Sequence, residues 1–316
     1  MILLLSEDGD KITDIVVDWL NYYKSDFLVL KSKNLYNSIP TNIKVSDKLE
    51  INDFFSNINI AWCRRWSIDN YENINKDIKV NIISELNHFS SIFFESLKNI
   101  EWINHPNFTK IKKIDQLLIA KKSGLNIPDT IITNNRIELQ DFCNNKGRII
   151  TKPIESSSEI IFDNDLYVSY TNRLDDTIIK KLPEYFAPSL FQEEVNKEFE
   201  IRVFYFNEMI YSMAIFSQLD SKTLIDHKKY NKEKPNRKVA YNIPKFLRRS
   251  IVKFMKKSNL QTGVIDIVKS KNGKFYFLEV NPVGQFNDIS INCNYNLEKI
   301  IAEYLIEKDE KKNRVN

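Results

Sequence analysis

Glycine is scarce in this chain, with six in 316 residues. Neither G-x-x-x-x-G-K-[ST] nor G-x-G-x-x-G can be written anywhere, which sets aside P-loop NTPases and Rossmann dehydrogenases. A nucleotide bound here must have its phosphates held by other groups. Cysteine is rare too. Cys63, Cys143 and Cys293 are far apart and odd in number, so they give neither zinc spacing nor a disulfide framework. They read as small packed hydrophobes in a reducing cytoplasm. His88, His105 and His227 form no pair on one helix face, and no Ser/His/Asp or Cys/His nucleophile set is spelled. Neither sign of charge dominates: 46 basic residues stand against 42 acidic, a net +4, which is no nucleic-acid signature. No apolar run approaches the roughly 18 residues of a membrane span. The apolar opening, residues 1–5, is short and runs straight into Ser6-Glu7-Asp8, so it reads as a strand rather than a signal peptide.

What is present concentrates near the C-terminal end, in GVIDIVKSKNGKFYFLEVNPVGQF (residues 263–286). Two β-branched, apolar runs flank Lys271-Asn272-Gly273 and predict a hairpin with an Asn-Gly turn. Asp266 lies inside the first strand; Glu279 and Asn281 share a face of the second, two residues apart. Acids in hydrophobic strands are costly unless paired or bound to a cation. These three oxygen donors suggest a site for a hard ion such as Mg²⁺, and Pro282 ends the ladder where such a site would open.

Upstream, residues 2–5, a helix capped at Thr13 or Asp14, and residues 27–30 make a βαβ unit, with a third strand at 58–62 and an amphipathic helix at 82–97. Arg64 and Arg65, set between Trp62 and Trp66, suit substrate carboxylates or snorkel over aromatic surface. A helix at 115–121 ends at Gly124 and leads through Pro128 into a strand at 130–133. Residues 148–153 form a strand ending in Lys152-Pro153. Arg202, flanked by apolar residues on a strand, needs an anion: phosphate, carboxylate, or Glu200 on the same face. The segment 308–316 is charged and expected to fray.

A strand Asp followed by a strand ending Glu-x-Asn-Pro resembles the Mg²⁺-binding end of the ATP-grasp superfamily. LEVNPVGQF is similar to its peptide-maturing branch, the graspetide (microviridin-type) maturases, and the opening LLLSEDGD resembles the grasp-with-spasm type among them. The resemblance implies an α/β chain with α+β lobes: a pre-grasp α/β domain (1–103), a central ATP-grasp lobe (104–188) and a C-terminal lobe with the Mg²⁺ site (189–316). It implies ATP held by Lys113 (with Lys110 and Lys112 close in register), Lys152, Gln192, Glu193, Glu194 and Val195, with Glu200 on the ribose. A phosphate-covering loop is expected at 155–159, with serines where the superfamily often has glycines. Metal ligands would be Asp266, Glu279 and Asn281. Arg202 and Lys228 would steady an acyl phosphate. Lys228 stands where the branch usually has Arg, which loses the two-pronged grip, and Arg237 is the alternative. Arg64, Arg65 and Gln285 would face substrate.

The implied activity is ATP- and Mg²⁺-dependent activation of Asp or Glu side chains of a ribosomal precursor peptide with a leader, closed onto Ser, Thr or Lys as ester or amide rings. It implies a cytoplasmic enzyme with no nucleic-acid or membrane partner and leaves a homodimer open. Two alternatives stand beside it: another carboxylate–amine ligase acting on an amino acid or a protein C-terminus, and a non-catalytic nucleotide-binding relative.

Overall fold

The computed structural model describes residues 1–68, 76–155, 159–162, 165–168, 171–218, 233 and 235–314. The chain opens on β1 (Ile2–Ser6), α1 (Lys11–Tyr22), β2 (Phe27–Lys31), α2 (Ser32–Asn37), a small hairpin β3 (Ile43–Val45) and β4 (Leu49–Ile51), β5 (Ile60–Cys63), α3 (Lys76–Ser96) and β6 (Glu101–Ile103). Four of these strands form a parallel sheet in the order β2-β1-β5-β6. Both faces of β1 are apolar because both are covered, as parallel sheets require. Ile2 and Leu4 enter one core, Leu3 and Leu5 the other. Asp10 occupies the N-cap of α1, but its side chain does not cap the helix. It accepts instead from the Thr13 hydroxyl at 2.8 Å.

A second unit holds α4 (Lys113–Lys122), β7 (Thr130–Asn135), α5 (Arg136–Lys146), β8 (Ile149–Lys152), the hairpin β9 (Glu159–Phe162) and β10 (Asp165–Val168), β11 (Asn172–Leu174), α6 (Asp176–Lys181) and β12 (Tyr185–Glu193). Its antiparallel sheet runs β11-β8-β12-β7. The expected boundary at 188/189 falls inside β12, which pairs with both β7 and β8 along its length. The chain leaves this sheet only after Glu193. Helix α4, though inside the expected central lobe, packs in the core of the next sheet through Leu117 and Ala120. Gly124 ends it at φ +87°, the left-handed turn that glycine adopts freely.

The third unit is a five-stranded antiparallel sheet, β15-β14-β13-β16-β17, from β13 (Lys197–Phe206), β14 (Met209–Phe216), β15 (Arg237–Ala240), β16 (Thr262–Ser270) and β17 (Phe275–Asn281). One face carries Ile201, Val203, Ile265 and Phe277 and is covered by α4 and by α7 (Lys245–Lys257). The other face divides. Phe204, Phe206 and Val264 join the core of the first unit, together with α8 (Asn287–Asn292) and α9 (Leu297–Asn313). The rest of that face is left for a cleft.

Of the segment expected to fray, the described residues through Asn313 are helical. Helix α9 lies on α1 and runs through Asn313. Asp309 is buried, pairs with the Met1 amino group at 2.7 Å and accepts from Asn59. Packing along the apolar side of α9 overrides the charged composition that suggested fraying. At the junction of the first and third units sits Asn104, fully buried in the left-handed region (φ 55°). Its amide donates to the carbonyls of Thr262 and Pro282, and its Oδ1 accepts from the N–H groups of Gln261 and Thr262.

Candidate active site

Between the central sheet and the five-stranded sheet lies a cleft of about 400 Å³, within the range that holds small ligands and cofactors. Its floor is a row of three charged residues on neighbouring strands. Arg202 on β13 is the register partner of Asp266 on β16, and Asp266 is the partner of Glu279 on β17. Arg202 Nε lies 3.3 Å from Asp266 Oδ1. The ion pair that the sequence suggested with Glu200 goes to Asp266 instead. A residue directly opposite on the next strand is closer than one two places along the same strand.

Glu279 reaches the row through a bulge. Register slips between Asp266↔Glu279 and Ile267↔Phe277, leaving Leu278 as the extra residue. Phe275, Phe277 and Val280 all reach the core, which strict alternation forbids. Glu279 is thereby turned into the cleft. A second slip, at Glu198 on β13, brings buried Lys197 onto the side of Glu200, with which it forms an ion pair. The Ser217 hydroxyl donates to the same Glu200 carboxylate at 3.0 Å.

Two adjacent carboxylates balanced by one guanidinium are an oxygen-rich, net-anionic pair. Like charges directly opposite on a sheet repel, and a hard divalent cation relieves that repulsion. The donor set therefore fits Mg²⁺, which takes one or two carboxylates and completes its shell with water or phosphate oxygens. Among the described residues, no group of three or more His, Cys, Asp or Glu could hold a metal. A third protein ligand would have to be the Asn281 amide. It is two residues beyond Glu279, outside the cleft lining, and its Oδ1 accepts from the Val283 N–H at 3.1 Å.

The strand-to-strand hinge, residues 194–196, forms one wall. Lys152, Gln192, Glu193, Glu194, Val195 and Glu200 all line the cleft. Backbone N–H groups of Glu193 and Glu194 are taken by the carbonyls of Asp129 and Arg148. The Glu194 side chain is gripped by both prongs of Arg173 from β11, at 2.5 Å each. Gln192 donates to the Thr130 hydroxyl at 2.8 Å, and its buried Oε1 has no hydrogen-bond partner among the described residues. Arg148, Arg173, Lys197 and Lys271 add positive charge to the lining. Sequence reading did not single out these four. For Lys197 the signal was masked by the bulge, and for Arg173 by its short strand.

Several expected site residues lie elsewhere. Lys113 is outside the cleft lining, with Nζ donating to the Pro153 carbonyl at 3.0 Å beside Lys152. Arg237 stands over the Phe216 ring. Arg64 does not face substrate: it is 2% exposed, lies 3.3 Å from Asp10, and donates to the Val283 carbonyl and to Gln285 Oε1. Arg65 stands 3.7 Å from the other Asp10 oxygen. The Gln285 side chain is turned to Arg64 rather than to the cleft. Lys228 and Ser156 to Ser158 of the expected phosphate-covering loop lie outside the described residues.

No protein-family model and no curated protein matches this chain. Solved structures match it over nearly its whole length. A RiPP-associated ATP-grasp ligase of Chryseobacterium gregarium, in complex with ADP and a leader and core peptide, gives a TM-score of 0.83 at 21% identity, covering 97% of this chain and 96% of that one. Macrocyclase MdnC of Microcystis aeruginosa MRC, bound with precursor peptide MdnA, gives 0.81 at 22% identity over 97% and 99% of the two chains. The ATP-grasp ligase PsnB, complexed with a minimal precursor, gives 0.79 at 18% identity over 97% and 99%. The chain therefore has the ATP-grasp fold, as the motifs implied.

Proposed function

We propose that this protein is an ATP-dependent peptide ligase that joins an Asp or Glu side chain of a ribosomally made precursor to a Ser, Thr or Lys side chain of the same peptide. The observation that carries the reading is the Arg202–Asp266–Glu279 row on the floor of a cleft between two sheets. The fold it sits in is shared over nearly the full length with ligases solved on precursor peptides. Bound MgATP supplies the phosphoryl group that converts a carboxylate to an acyl phosphate.

The chain's own residues then divide the work. Asp266 and Glu279 would hold the metal, with the Asn281 amide as the further candidate ligand of this reading. Lys152 faces the phosphates. Gln192 offers Oε1 to the base, Val195 offers its backbone, and Glu200, oriented by Lys197 and Ser217, takes the ribose hydroxyls. Arg202 neutralises the acyl phosphate and draws the carboxyl group to the row, with Lys228 as the second cation of this reading. No side chain stands out as a general base, so alignment of the two peptide groups carries the ring closure.

Among the described residues no helix is long and apolar enough to cross a membrane, and three free cysteines suit a cytoplasmic enzyme. The test is incubation with candidate precursors, short Thr/Asp/Glu-rich peptides with a leader, together with ATP and Mg²⁺, read by mass spectrometry. Loss of one water per ring is expected. ATP turnover with a free amino acid and an unchanged peptide would overturn the reading.

A further inference from the structure

The buried arginine that follows β5 lies in the first unit, yet the hydrogen bonds its side chain makes are with the segment leaving β17. Asp10 is itself fixed: it accepts from Thr13, whose hydroxyl accepts from Ser6, both at 2.8 Å. Arg64 stands on this base and donates to the Val283 carbonyl and, at 3.1 Å, to Gln285 Oε1. The Gln285 carbonyl accepts from Arg202 Nη2 at 3.2 Å, and Arg202 Nε stands 3.3 Å from Asp266. An unbroken polar chain thus runs from a helix start in the first unit to the cleft floor of the third. Its two ion pairs stand at 3.3 Å, and Arg64, Asp10, Thr13 and Ser6 are buried.

The segment between the two arginines has few other ways to move. Gly284 is pressed on Val264, where an added Cβ would lie 2.7 Å from the Val264 Cβ. Phe286 stacks on Phe204 with ring centroids 4.2 Å apart. Asn104 holds the Pro282 carbonyl at 3.0 Å.

We propose that Arg64, anchored by Asp10, is a positioning residue: it fixes residues 283–285 so that the Gln285 carbonyl aims Arg202 into the cleft. Lysine cannot replace it, because one ammonium cannot span Asp10, the Val283 carbonyl and Gln285 in a fixed plane. The catalytic part of this inference rests on the peptide-ligase reading; the geometric part does not.

Two variants test it: Arg64→Lys, which keeps the buried charge beside Asp10, and Gln285→Ala, a milder change at an exposed position that removes only one acceptor. In ¹⁵N-arginine spectra, the Nε–H signal of Arg202, assigned by its loss in Arg202→Lys, is expected to shift in both variants. Amides 283–287 should exchange faster with deuterium in Arg64→Lys, while those of β13 stay protected. Turnover should fall about 10- to 100-fold in Arg64→Lys with KM for ATP unchanged. The double variant Arg64→Lys/Arg202→Lys should be no slower than Arg202→Lys alone. An unmoved Arg202 signal with unchanged exchange overturns the proposal, as does multiplication of the two rate losses. If the wild type closes no ring, the ligase reading falls, and the spectra and exchange, which need no substrate, decide the relay by themselves.

Discussion

Asp266 and Glu279 face one another across two strands, so each can be neutralised without emptying space. Glu279→Gln should lower ATP turnover by about 10²- to 10³-fold while leaving the thermal midpoint unchanged or raised, since a like-charge repulsion is removed. Turnover assays beside a melting curve check both halves. Cys63 is a different kind of residue. Burial pushes its thiol from the ordinary value of 9.0 up to about 12. It should resist iodoacetamide at pH 8 in the native protein and react once guanidinium unfolds it, whereas half-exposed Cys293 reacts first. The sign for stability follows. The unfolded thiol ionises from about pH 9 upward and the folded one does not, so this group favours unfolding increasingly between pH 9 and 12. A Cys63→Ala variant should lose less stability across that window, by chemical denaturation, than the wild type does.

At the scale of single elements, the bulge at Leu278 interrupts β17 next to the site. Deleting Leu278 makes Phe277 and Glu279 neighbours, so regular pairing keeps Phe277 in the core and Glu279 opposite Asp266 on the cleft face. Nucleotide binding by titration is therefore expected to survive the deletion, and its loss would show that the extra backbone unit itself shapes the site. Gly284→Ala meets the Val264 Cβ at 2.7 Å, backed by a strand that cannot shift. A loss of about 1–3 kcal/mol in denaturant melts is expected, with slower turnover because residues 283–285 are displaced.

These two positions also show what could be read in advance. The hairpin, its Asn-Gly turn and the row residues Asp266 and Glu279 were legible because each needs only local pattern and the cost of a buried charge. The phase break at Leu278 was legible in principle: Phe275, Phe277 and Val280 do not share one parity. Lys197 was hidden, because the slip at Glu198 reverses the face that alternation assigns. Arg64 was read as facing substrate because nothing local reveals Asp10 or Gln285, which are 54 residues before it and 221 residues after it in the chain.

At the scale of the whole molecule, the first and third units share one apolar core, and Asn104 adds a polar joint beside it. Asn104 makes four side-chain hydrogen bonds while fully buried. Asn104→Ala should cost about 3 kcal/mol in denaturant melts, since several buried backbone groups lose partners. A strand belongs to the sheet it pairs with, so β12 stays whole across 188/189.

Helix α9 supplies Leu297, Ile301 and Leu305 to the same core as Ile2, Leu4, Val16 and Leu20. During synthesis, the first unit therefore emerges with a greasy flank that stays partly uncovered until residues 297–305 have left the ribosome. Until then, chaperones are the natural custodians of β1 and α1.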